Sequence, residues 1–245
     1  MRRIRLRRII IISIMTILSL VTALKTEAQI IKGEVFTGLN LSQVDGDDCY
    51  GYKHLGFVGG AGALIPITNY FDIGLEVLFS QKGAYKRDSL SYGSDFSGSY
   101  NLDLNYVEIP VIAYLTDKDW ISAGLGVSYG RLVYLNEKIN GVGTGVTIGD
   151  GEISIPGENS TTYNGNDFSI VGDLRVRVYE GLHLSLRYQY SLAKIRSRQF
   201  YDIAGLPKGD PQKQFNNTIS LRAVYIFNEK RSQKNIKEQS MQRGN

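Results

Sequence analysis

The sequence predicts an all-β fold, an eight-stranded antiparallel transmembrane β-barrel with short periplasmic turns and long outer loops. Three observations predict it: eight segments alternate between apolar and polar side chains, their connections are alternately short and long, and no segment has the apolar period of a helix. The clearest segment is Tyr70–Gly83, in which the apolar side chains from Phe71 to Phe79 share one parity. About 9–11 residues of tilted strand cross a bilayer, so this segment is long enough to span a membrane.

The N-terminus predicts an export signal. Five arginines lie within the first eight residues, the apolar run Ile9–Leu24 follows, and the small residues Thr26 and Ala28 mark a cleavage site. An uncleaved membrane anchor is the alternative, but the run of 16 residues is shorter than the roughly 20 that a spanning helix needs. We therefore expect a cleaved signal peptide over residues 1–28 and a barrel over residues 29–227.

Cleavage removes most of the surplus basic charge. Residues 1–28 contain six of the 28 Lys and Arg residues but one of the 24 Asp and Glu residues, so the mature chain has a formal net charge of −1. Nucleic-acid binding thereby loses its compositional support. Residues 228–245 hold five basic residues and two acidic ones, and we expect them to form a disordered basic periplasmic tail. Cys49 is the only cysteine, which excludes an intramolecular disulfide.

The first four segments each present one apolar face. They are Gly33–Gln43, Leu55–Ile65, Tyr70–Gly83 and Leu102–Leu115. Their apolar positions are, in order, Val35, Leu39 and Leu41; Leu55, Phe57, Ala61, Ala63 and Ile65; Phe71, Ile73, Leu75, Val77 and Phe79; and Val107, Ile109, Val111, Ala113 and Leu115. Pro110 in the fourth segment cannot donate to a strand ladder, so we expect a β-bulge there.

The last four segments repeat the pattern. They are Trp120–Val133, Phe168–Val178, Leu182–Leu192 and Thr218–Phe227. Their apolar positions are Ile121, Ala123, Leu125, Val127 and Tyr129; Phe168, Ile170, Leu174, Val176 and Val178; Leu182, Leu184, Leu186, Tyr188, Tyr190 and Leu192; and Leu221, Ala223, Tyr225 and Phe227. Aromatic residues lie towards the segment ends, which is typical of the two interfacial girdles of a membrane barrel.

The connections set the orientation. Those after the second, fourth and sixth segments are short, namely Pro66–Asn69, Thr116–Asp119 and Glu180–Gly181, whereas the others are long and polar. Membrane barrels have short periplasmic turns and longer outer loops, so the short connections are expected in the periplasm.

Seven charged residues share the face opposite the apolar one: Asp72, Glu76, Glu108, Asp173, Arg175, Arg187 and Arg222. A basic side chain that faces lipid at mid-depth costs about 2–4 kcal/mol, so three arginines would cancel most of a typical stability of about 5–15 kcal/mol. The charged face therefore points inward. We predict a buried structural charge network that fills the lumen, made of Glu76, Glu108, Asp173, Arg175, Arg187 and Arg222. We expect room for the arginines at Gly60, Gly62, Gly74, Gly124 and Gly126. An ion path is the alternative interpretation of these charges.

Three stretches carry a resemblance. GLNLSQVDGDD (Gly38–Asp48), EVLFSQKG (Glu76–Gly83) and LNYVEIPV (Leu104–Val111) resemble the PorT-type outer-membrane β-barrel family of Bacteroidetes-type bacteria. The resemblance covers the mature chain through Phe227, apart from the connection Asn136–Asp167. It implies an eight-stranded outer-membrane barrel whose named member is needed for secretion of proteins across the outer membrane. It implies no catalytic residue.

Candidate chemistry is sparse. The carboxylates of Asp45–Asp48 lack the spacing and the terminal glutamate of a calcium loop, so a polar turn is the simpler interpretation. His54 and His183 are the only histidines and are expected at opposite ends of the barrel, where they cannot share a metal. His54 with Asp47 or Asp48 is the one conceivable general-base pair. The glycine-rich Asn140–Gly165 segment is an outer loop, or a β-extension of strands five and six, because no helix follows it to form a phosphate loop.

These observations lead to three functional hypotheses. The first is a non-enzymatic integral outer-membrane protein that serves the Gram-negative envelope or protein secretion through contacts of its loops and turns. The second is a narrow channel or a barrel that binds small ligands, and the third is a membrane hydrolase that uses His54. The expected partners are outer-membrane lipid, lipopolysaccharide, and envelope or secretion proteins, with no nucleic acid. We expect no catalytic, cofactor-binding or metal-binding residue.

Overall fold

The computed structural model describes residues 31–46, 51–87, 96–117, 120–143, 146–154, 163–198 and 210–229. Within these ranges the chain forms β1 (Lys32–Asp45), β2 (His54–Pro66), β3 (Phe71–Arg87), β4 (Phe96–Asp117), β5 (Ile121–Gly143), β6 (Val146–Ser154), β7 (Asn166–Tyr179), β8 (Leu182–Ser191), β9 (Arg196–Arg198) and β10 (Gln212–Ile226). In the same ranges no helix is long and apolar enough to cross a membrane. The predicted signal peptide, the residues from Asp47 to Tyr50 and residues 230–245 lie outside the described ranges.

Eight of the strands close into a barrel. β1, β2, β3, β4, β5, β7, β8 and β10 are hydrogen-bonded in this order, and β10 returns to pair with β1. The closing antiparallel pair runs from Glu34 opposite Ile226 to Asp45 opposite Phe215. The predicted eight-stranded antiparallel barrel is confirmed, and each predicted segment overlaps one of its strands. β4 begins six residues before its segment, β5 ends ten residues after its segment, and β10 ends at Ile226 rather than at Phe227.

Two short strands lie beyond the barrel wall at its outer end. β6 pairs with the outer part of β5, and β9 pairs with the first residues of β10. β6 lies in the Asn140–Gly165 segment, for which a β-extension was one of the two interpretations, whereas β9, which is three residues long, was not predicted. The predicted β-extension is correct for the fifth barrel strand, which continues to Gly143. It is wrong for the sixth, since β7 begins only at Asn166.

Side chains alternate between the lumen and the outer surface of the barrel. In β3, Leu75 is 47% exposed whereas the adjacent Glu76 is 1% exposed. All seven charged residues expected to face inward are buried: Asp72, Glu76, Glu108, Asp173, Arg175, Arg187 and Arg222. The outward residues form a continuous apolar band, as a surface in contact with lipid requires.

Aromatic pairs lie at both ends of this band. Tyr129 packs on Phe168 near the outer end, with ring centroids 5.1 Å apart. Tyr225 packs on Phe227 near the periplasmic end, with centroids 4.9 Å apart. These positions are those of the two interfacial girdles expected from the sequence.

Pro110 does not form the β-bulge that the sequence predicted. On the β5 side it lies opposite Ser128 in an unbroken ladder. On the β3 side the pairing is interrupted at Pro110 and resumes at Glu108 in the same register. The missing N–H therefore removes a local contact without inserting a residue. The irregularity of the β4–β5 ladder lies instead between Asn105 and Tyr106.

Two hydrophobic clusters pack inside the barrel. The first surrounds Tyr114 in the periplasmic half and consists of Phe36, Val58, Leu64, Leu78, Ile112, Tyr114, Val171, Val224 and Ile226. The second, which we call the outer hydrophobic cluster, consists of Val44, Ala84, Tyr100, Leu102, Leu104, Tyr106, Leu135, Tyr163 and Ile195. Polar side chains fill the levels within and between these clusters.

Candidate functional site

Six buried charged side chains form a cluster in the lumen that we call the arginine layer: Arg175, Arg187, Arg222, Glu34, Glu76 and Asp173. The Glu76 carboxylate lies at its centre. Its oxygens are 2.9 Å from Arg175 Nη2, 2.7 Å from Arg187 Nη2 and 3.2 Å from Arg222 Nη1. Glu34 Oε2 accepts from Arg175 Nη1 at 2.6 Å. The formal charges of the six side chains cancel.

The strand register explains why these residues meet. Asp173 on β7 lies directly opposite Arg187 on β8, and Asp173 Oδ2 accepts from Arg187 Nη2 at 2.8 Å. Arg222 on β10 lies opposite Ser185 on β8, and its Nε donates to Ser185 Oγ at 3.1 Å. Inward positions on three neighbouring strands therefore supply the positive charge, while Glu76 reaches it from β3.

Tyr114 completes the arginine layer. Its hydroxyl donates to Asp173 Oδ2 at 2.8 Å and accepts from Arg175 Nη2 at 2.5 Å. The ring fits between β3 and β5 because Gly74 and Gly124 carry no side chain. A Cβ atom would lie 2.9 Å from the ring at Gly74 and 2.5 Å from it at Gly124. The sequence expectation is corrected here, since these two glycines make room for a tyrosine ring rather than for arginines.

The other three glycines of that expectation have different neighbours. A Cβ atom at Gly62 would meet Glu34 Oε1 at 2.9 Å, so this glycine makes room for a carboxylate. At Gly60 and Gly126 a Cβ atom would meet a backbone carbonyl oxygen of the neighbouring strand at 2.3 and 2.1 Å. These two glycines allow adjacent strands to approach closely, and the atoms nearest to a Cβ there belong to Val77 and Leu78 at Gly60 and to Val111 and Ile112 at Gly126.

A second polar layer lies nearer the outer end of the barrel, and we call it the Lys82 layer. Glu108 belongs to it, which corrects the prediction that Glu108 joins the guanidinium groups. Glu108 Oε1 is 2.6 Å from Lys82 Nζ, and Glu108 Oε2 accepts from Gln189 Nε2 at 2.8 Å. Lys82 Nζ is also 3.7 Å from Asp167 Oδ2. Glu108 does not reach the arginine layer because it lies opposite Leu78, which is one inward position nearer the outer end of the barrel than Glu76.

Sequence reasoning missed three charged members of these layers: Glu34, Lys82 and Asp167. The first two lie within predicted segments on the inward parity, and the third directly precedes its segment. All three could have been predicted from the sequence, because they lie on the same alternate positions as the charged residues that were predicted to face inward. Asp72, which was expected inward, pairs with Lys32 at 2.6 Å near the periplasmic end.

The periplasmic end of the lumen is lined by a residue from beyond the last strand. Asn228 has a φ of 61°, which turns the chain, and Glu229 then contacts the Arg177 guanidinium and lies 3.3 Å from His183 Nε2. Burial raises the pKa of Glu229, but hydrogen bonds from His183 and Arg177 outweigh it and lower the pKa to about 2. Contacts with the barrel thus extend two residues beyond the predicted boundary at Phe227.

The outer mouth is filled by the start of the connection between β8 and β10. Ile195 is fully buried in the outer hydrophobic cluster, and Arg196 Nη1 lies 3.0 Å from both oxygens of Glu137. Arg196 Nη2 donates to the Tyr100 hydroxyl at 2.8 Å. Burial raises the pKa of the Tyr163 phenol, so its hydroxyl stays protonated and donates to Glu137 at 3.0 Å. These contacts fasten the connection into the mouth of the barrel.

His54 lies at the outer end of β2. Its Nε2 is 2.9 Å from Asp103 Oδ1 and its Nδ1 is 3.1 Å from Ser42 Oγ. Its predicted partners, in the Asp47–Asp48 turn, lie outside the described residues. Ser42 is 1% exposed, and its Oγ accepts from Gly83 N at 2.9 Å. The set resembles a catalytic triad in composition, but its serine is enclosed by the barrel wall. Among the described residues no group of three or more His, Cys, Asp or Glu side chains could hold a metal ion.

Residues 28–197 match the family described as outer membrane protein beta-barrel domain. The chain belongs to this family. It is accordingly an integral protein of the outer membrane, with its apolar band in lipid. No curated protein sequence matches the chain.

Several solved structures are similar to this family member. Ail, the attachment invasion locus protein of Yersinia pestis, in complex with the heparin analogue sucrose octasulfate, is 13% identical and aligns over 80% of this chain and 99% of its own, with a TM-score of 0.43. Neisserial surface protein A is 10% identical over 80% of this chain and 96% of its own, with a TM-score of 0.45. Acinetobacter baumannii CarO is 10% identical over 79% and 97%, with a TM-score of 0.37. At such identities the likeness concerns the fold alone.

Proposed function

We propose that this outer-membrane barrel is a non-enzymatic component of the envelope or of protein secretion, and that it acts through its outer loops and periplasmic turns. The filled lumen supports this proposal most. The arginine layer, the Lys82 layer and the outer hydrophobic cluster occupy successive levels of the interior. Eight strands enclose an interior that side chains can fill, which leaves the exposed connections as the places where partners bind.

The stretches Gly38–Asp48, Glu76–Gly83 and Leu104–Val111 favour protein secretion among envelope tasks, since they resemble the PorT-type family. Deletion of the gene should reduce the amount of secreted protein at the cell surface and in the medium, with accumulation in the periplasm. Expression of the intact chain should restore secretion. Normal secretion in the deletion strain, together with a weakened envelope, would support the envelope role instead.

Site-specific crosslinking in cells tests whether loops and turns bind partners. A photoreactive residue at Lys53 probes an outer loop, and one at Ile67 probes a periplasmic turn; both positions are exposed. Leu125, which is 73% exposed on the apolar band, is the matched control because it faces lipid. We expect defined protein adducts from at least one of the first two positions and none from Leu125. Adducts from none of the three positions would contradict the proposal.

A narrow channel is the competing function. Conduction requires a continuous aqueous path, whereas Arg222 and Glu76 are each 1% exposed within the lumen. We therefore expect no discrete conductance steps from the purified protein in a planar bilayer. Reproducible steps whose size changes in the Glu76→Gln variant would establish a channel in its place.

A hydrolase is disfavoured by the environment of Ser42 and His54. The serine hydroxyl is buried and occupied by the Gly83 backbone, so it cannot reach an acyl carbonyl group. Purified protein should release no fatty acid from phospholipid or lipopolysaccharide, and His54→Ala should not change this result. Hydrolysis that is lost in His54→Ala would contradict the non-enzymatic proposal.

The same proposal includes removal of the signal peptide after Ala28, because Thr26 and Ala28 are the small residues of the cleavage site. N-terminal sequencing of the protein extracted from outer membranes should therefore begin at Gln29. Recovery of chains that retain Met1 would contradict this expectation.

A further inference from the structure

The Lys82 layer contains one more carboxylate than it has basic groups. Lys82, Glu108 and Asp167 are each 1% exposed. Lys82 Nζ is 2.6 Å from Glu108 Oε1 but 3.7 Å from Asp167 Oδ2, so the ammonium group balances Glu108 first. One negative charge is left inside the barrel, and an uncompensated buried charge is strongly unfavourable.

Neighbouring layers do not supply the missing charge within the described residues. In the arginine layer three guanidinium groups face three carboxylates, and further towards the periplasm Lys32 pairs with Asp72. On the outer side Arg196 pairs with Glu137. Arg131 on β5 lies across from Asn166 and donates to Asn166 Oδ1 at 2.9 Å rather than to Asp167. Among the described residues the surplus therefore remains with Asp167.

The hydrogen bonds of Asp167 orient it without adding charge. Its Oδ1 accepts from Ser191 Oγ at 2.7 Å and from Ser169 Oγ at 3.3 Å. Its Oδ2 accepts from Asn216 Nδ2 at 3.0 Å, and the same amide nitrogen donates to the Tyr106 hydroxyl at 3.2 Å. The carboxylate is therefore held rigidly in a pocket of hydroxyl and amide groups.

Two oxygen atoms of β10 side chains at the level of the Lys82 layer lack a hydrogen-bond partner among the described residues: Asn216 Oδ1 and Thr218 Oγ1. Both residues are buried, with exposures of 2% and 1%. Asn216 is the residue that bonds Asp167, and Thr218 is the next inward position of β10, opposite the Gln189 that contacts Glu108. Buried polar atoms without a partner are rare, and a bound ion is one of their recognised causes.

The oxygen types and the charge together define a ligand. Carboxylate, amide and hydroxyl oxygens are the ligands that hard cations prefer. A single surplus negative charge matches a monovalent cation, whereas a divalent ion would reverse the imbalance. We propose that a sodium ion binds in the lumen between β7, β8 and β10, coordinated by Asp167, Asn216 and Thr218. It is a resident structural ion that neutralises the Lys82 layer, and it does not depend on the proposed function.

Thermal unfolding of the detergent-solubilised protein tests this proposal. The midpoint is measured at neutral pH in sodium chloride, with choline chloride replacing it at constant ionic strength. A ligand that binds the folded state alone should raise the midpoint by about 3–5 °C for each tenfold increase in sodium above its dissociation constant. The Asp167→Asn variant should lose this dependence. Asp117→Asn, which removes an exposed carboxylate at a periplasmic turn, is the matched control and should keep it.

Thr218→Val is a second variant that tests sodium binding if Asp167→Asn does not fold. It keeps the charge and the shape of the site but removes one of the proposed ligands. It should show a smaller sodium dependence than the wild-type protein. Equal midpoints in sodium and choline would overturn the proposal. A sodium dependence of the midpoint that persists in Asp167→Asn would also overturn the proposal. A midpoint that responds to pH and not to sodium would overturn it as well, because it would show that Asp167 is neutralised by a proton instead of a sodium ion.

Discussion

Glu76 receives hydrogen bonds from side chains on three different strands, so one residue connects opposite walls of the barrel. Arg187 donates to both of its oxygens, at 2.8 and 2.7 Å, and Arg175 and Arg222 each donate to one. Removal of the negative charge would leave a surplus guanidinium group in the lumen. Removal of the Glu76 charge lowers the free energy of unfolding by far more than its ion pairs contribute to stability, because an unpaired guanidinium group then stays buried.

The Glu76→Gln variant should therefore be destabilised by about 3–5 kcal/mol in its free energy of unfolding. Urea unfolding in detergent, followed by the mobility shift between folded and unfolded barrel on gels, measures the difference. Asp117→Asn provides the control, since it removes the same charge from an exposed position, and it should change the free energy by less than about 0.5 kcal/mol. Equal stability of the two variants would show that the arginine layer does not hold the wall together.

Glu229 should make stability depend on pH in the acid range. Its pKa is lowered to about 2 in the folded protein from an ordinary value of 4.5. A carboxyl group whose pKa is lowered by folding stabilises the protein above the unfolded pKa, and this contribution is lost as the pH falls from about 4.5 towards 2. Unfolding midpoints of wild type and Glu229→Gln should differ at pH 6 and converge near pH 2. A difference that does not change with pH would contradict this assignment.

Single positions also show how far the sequence predicts the lumen. The inward direction of Asp173, Arg175 and Arg187 follows from parity, since a charge cannot face lipid at mid-depth. Their partners do not follow from parity, because the height at which two strands meet depends on register. Glu108 shows the difference: its direction was predicted and its lysine partner was not. Glu76 in the arginine layer and Glu108 in the Lys82 layer differ in height by only one inward position, and that difference is set by the register of β3 and β4.

At the scale of elements, β4 is shaped by its neighbours on both sides. Tyr114 projects from β4 into the lumen, and the bare positions Gly74 on β3 and Gly124 on β5 flank its ring. The three strands therefore fit each other only while the flanking residues are glycine. This reciprocal fit is a property of the strand triplet, and no single segment of the sequence reveals it.

Gly124→Ala should destabilise the barrel, because the new Cβ would lie 2.5 Å from the Tyr114 ring. Overpacking of this kind costs about 1–3 kcal/mol. In a Tyr114→Leu background the same change should cost less, because the contact with the tyrosine ring is gone and only the contact at 2.8 Å with Ile112 Cγ2 remains. A double-mutant cycle of unfolding free energies measures the coupling. Additive effects of the two substitutions would indicate that glycine is needed there for another reason.

Whether a strand can be predicted from the sequence depends on the environment of its two faces. Barrel strands that contact lipid on one face and the lumen on the other must alternate, so all eight were found. β6 and β9 lie above the membrane, where no solvent boundary imposes a period, and neither carries a usable signal. Pro110 is a further case: its missing N–H was recognised, but the wall accommodates it by an interrupted ladder and needs no bulge.

At the scale of the whole molecule, the two ends of the wall meet at the periplasmic rim. Phe227 N donates to Gly33 O at 2.7 Å, and Glu229 contacts Arg177 and lies beside His183. Among the described residues, contacts with the barrel therefore continue past the final strand as far as Glu229.

Truncation after Glu229 should leave the barrel assembled, whereas truncation after Phe227 should lower its thermal midpoint, because Arg177 and His183 then lose their carboxylate. Phe227→Ala should lower it as well, since this aromatic packs on Tyr225 at the rim. The heat-modifiable folded band of outer-membrane preparations reports assembly. Loss of that band on truncation after Glu229 would show that residues 230–245 take part in the fold.

The seam between β1 and β10 has a consequence for the order of folding. It pairs Glu34 with Ile226 and Asp45 with Phe215, residues that are far apart along the chain. The first strand is thus synthesised long before its second neighbour exists, and its edge must stay unpaired throughout export. Contacts between such distant residues form slowly, and an exposed strand edge invites pairing with other chains. Closure of the seam is therefore the expected final event of assembly, and until then the chain depends on protection from aggregation in the periplasm.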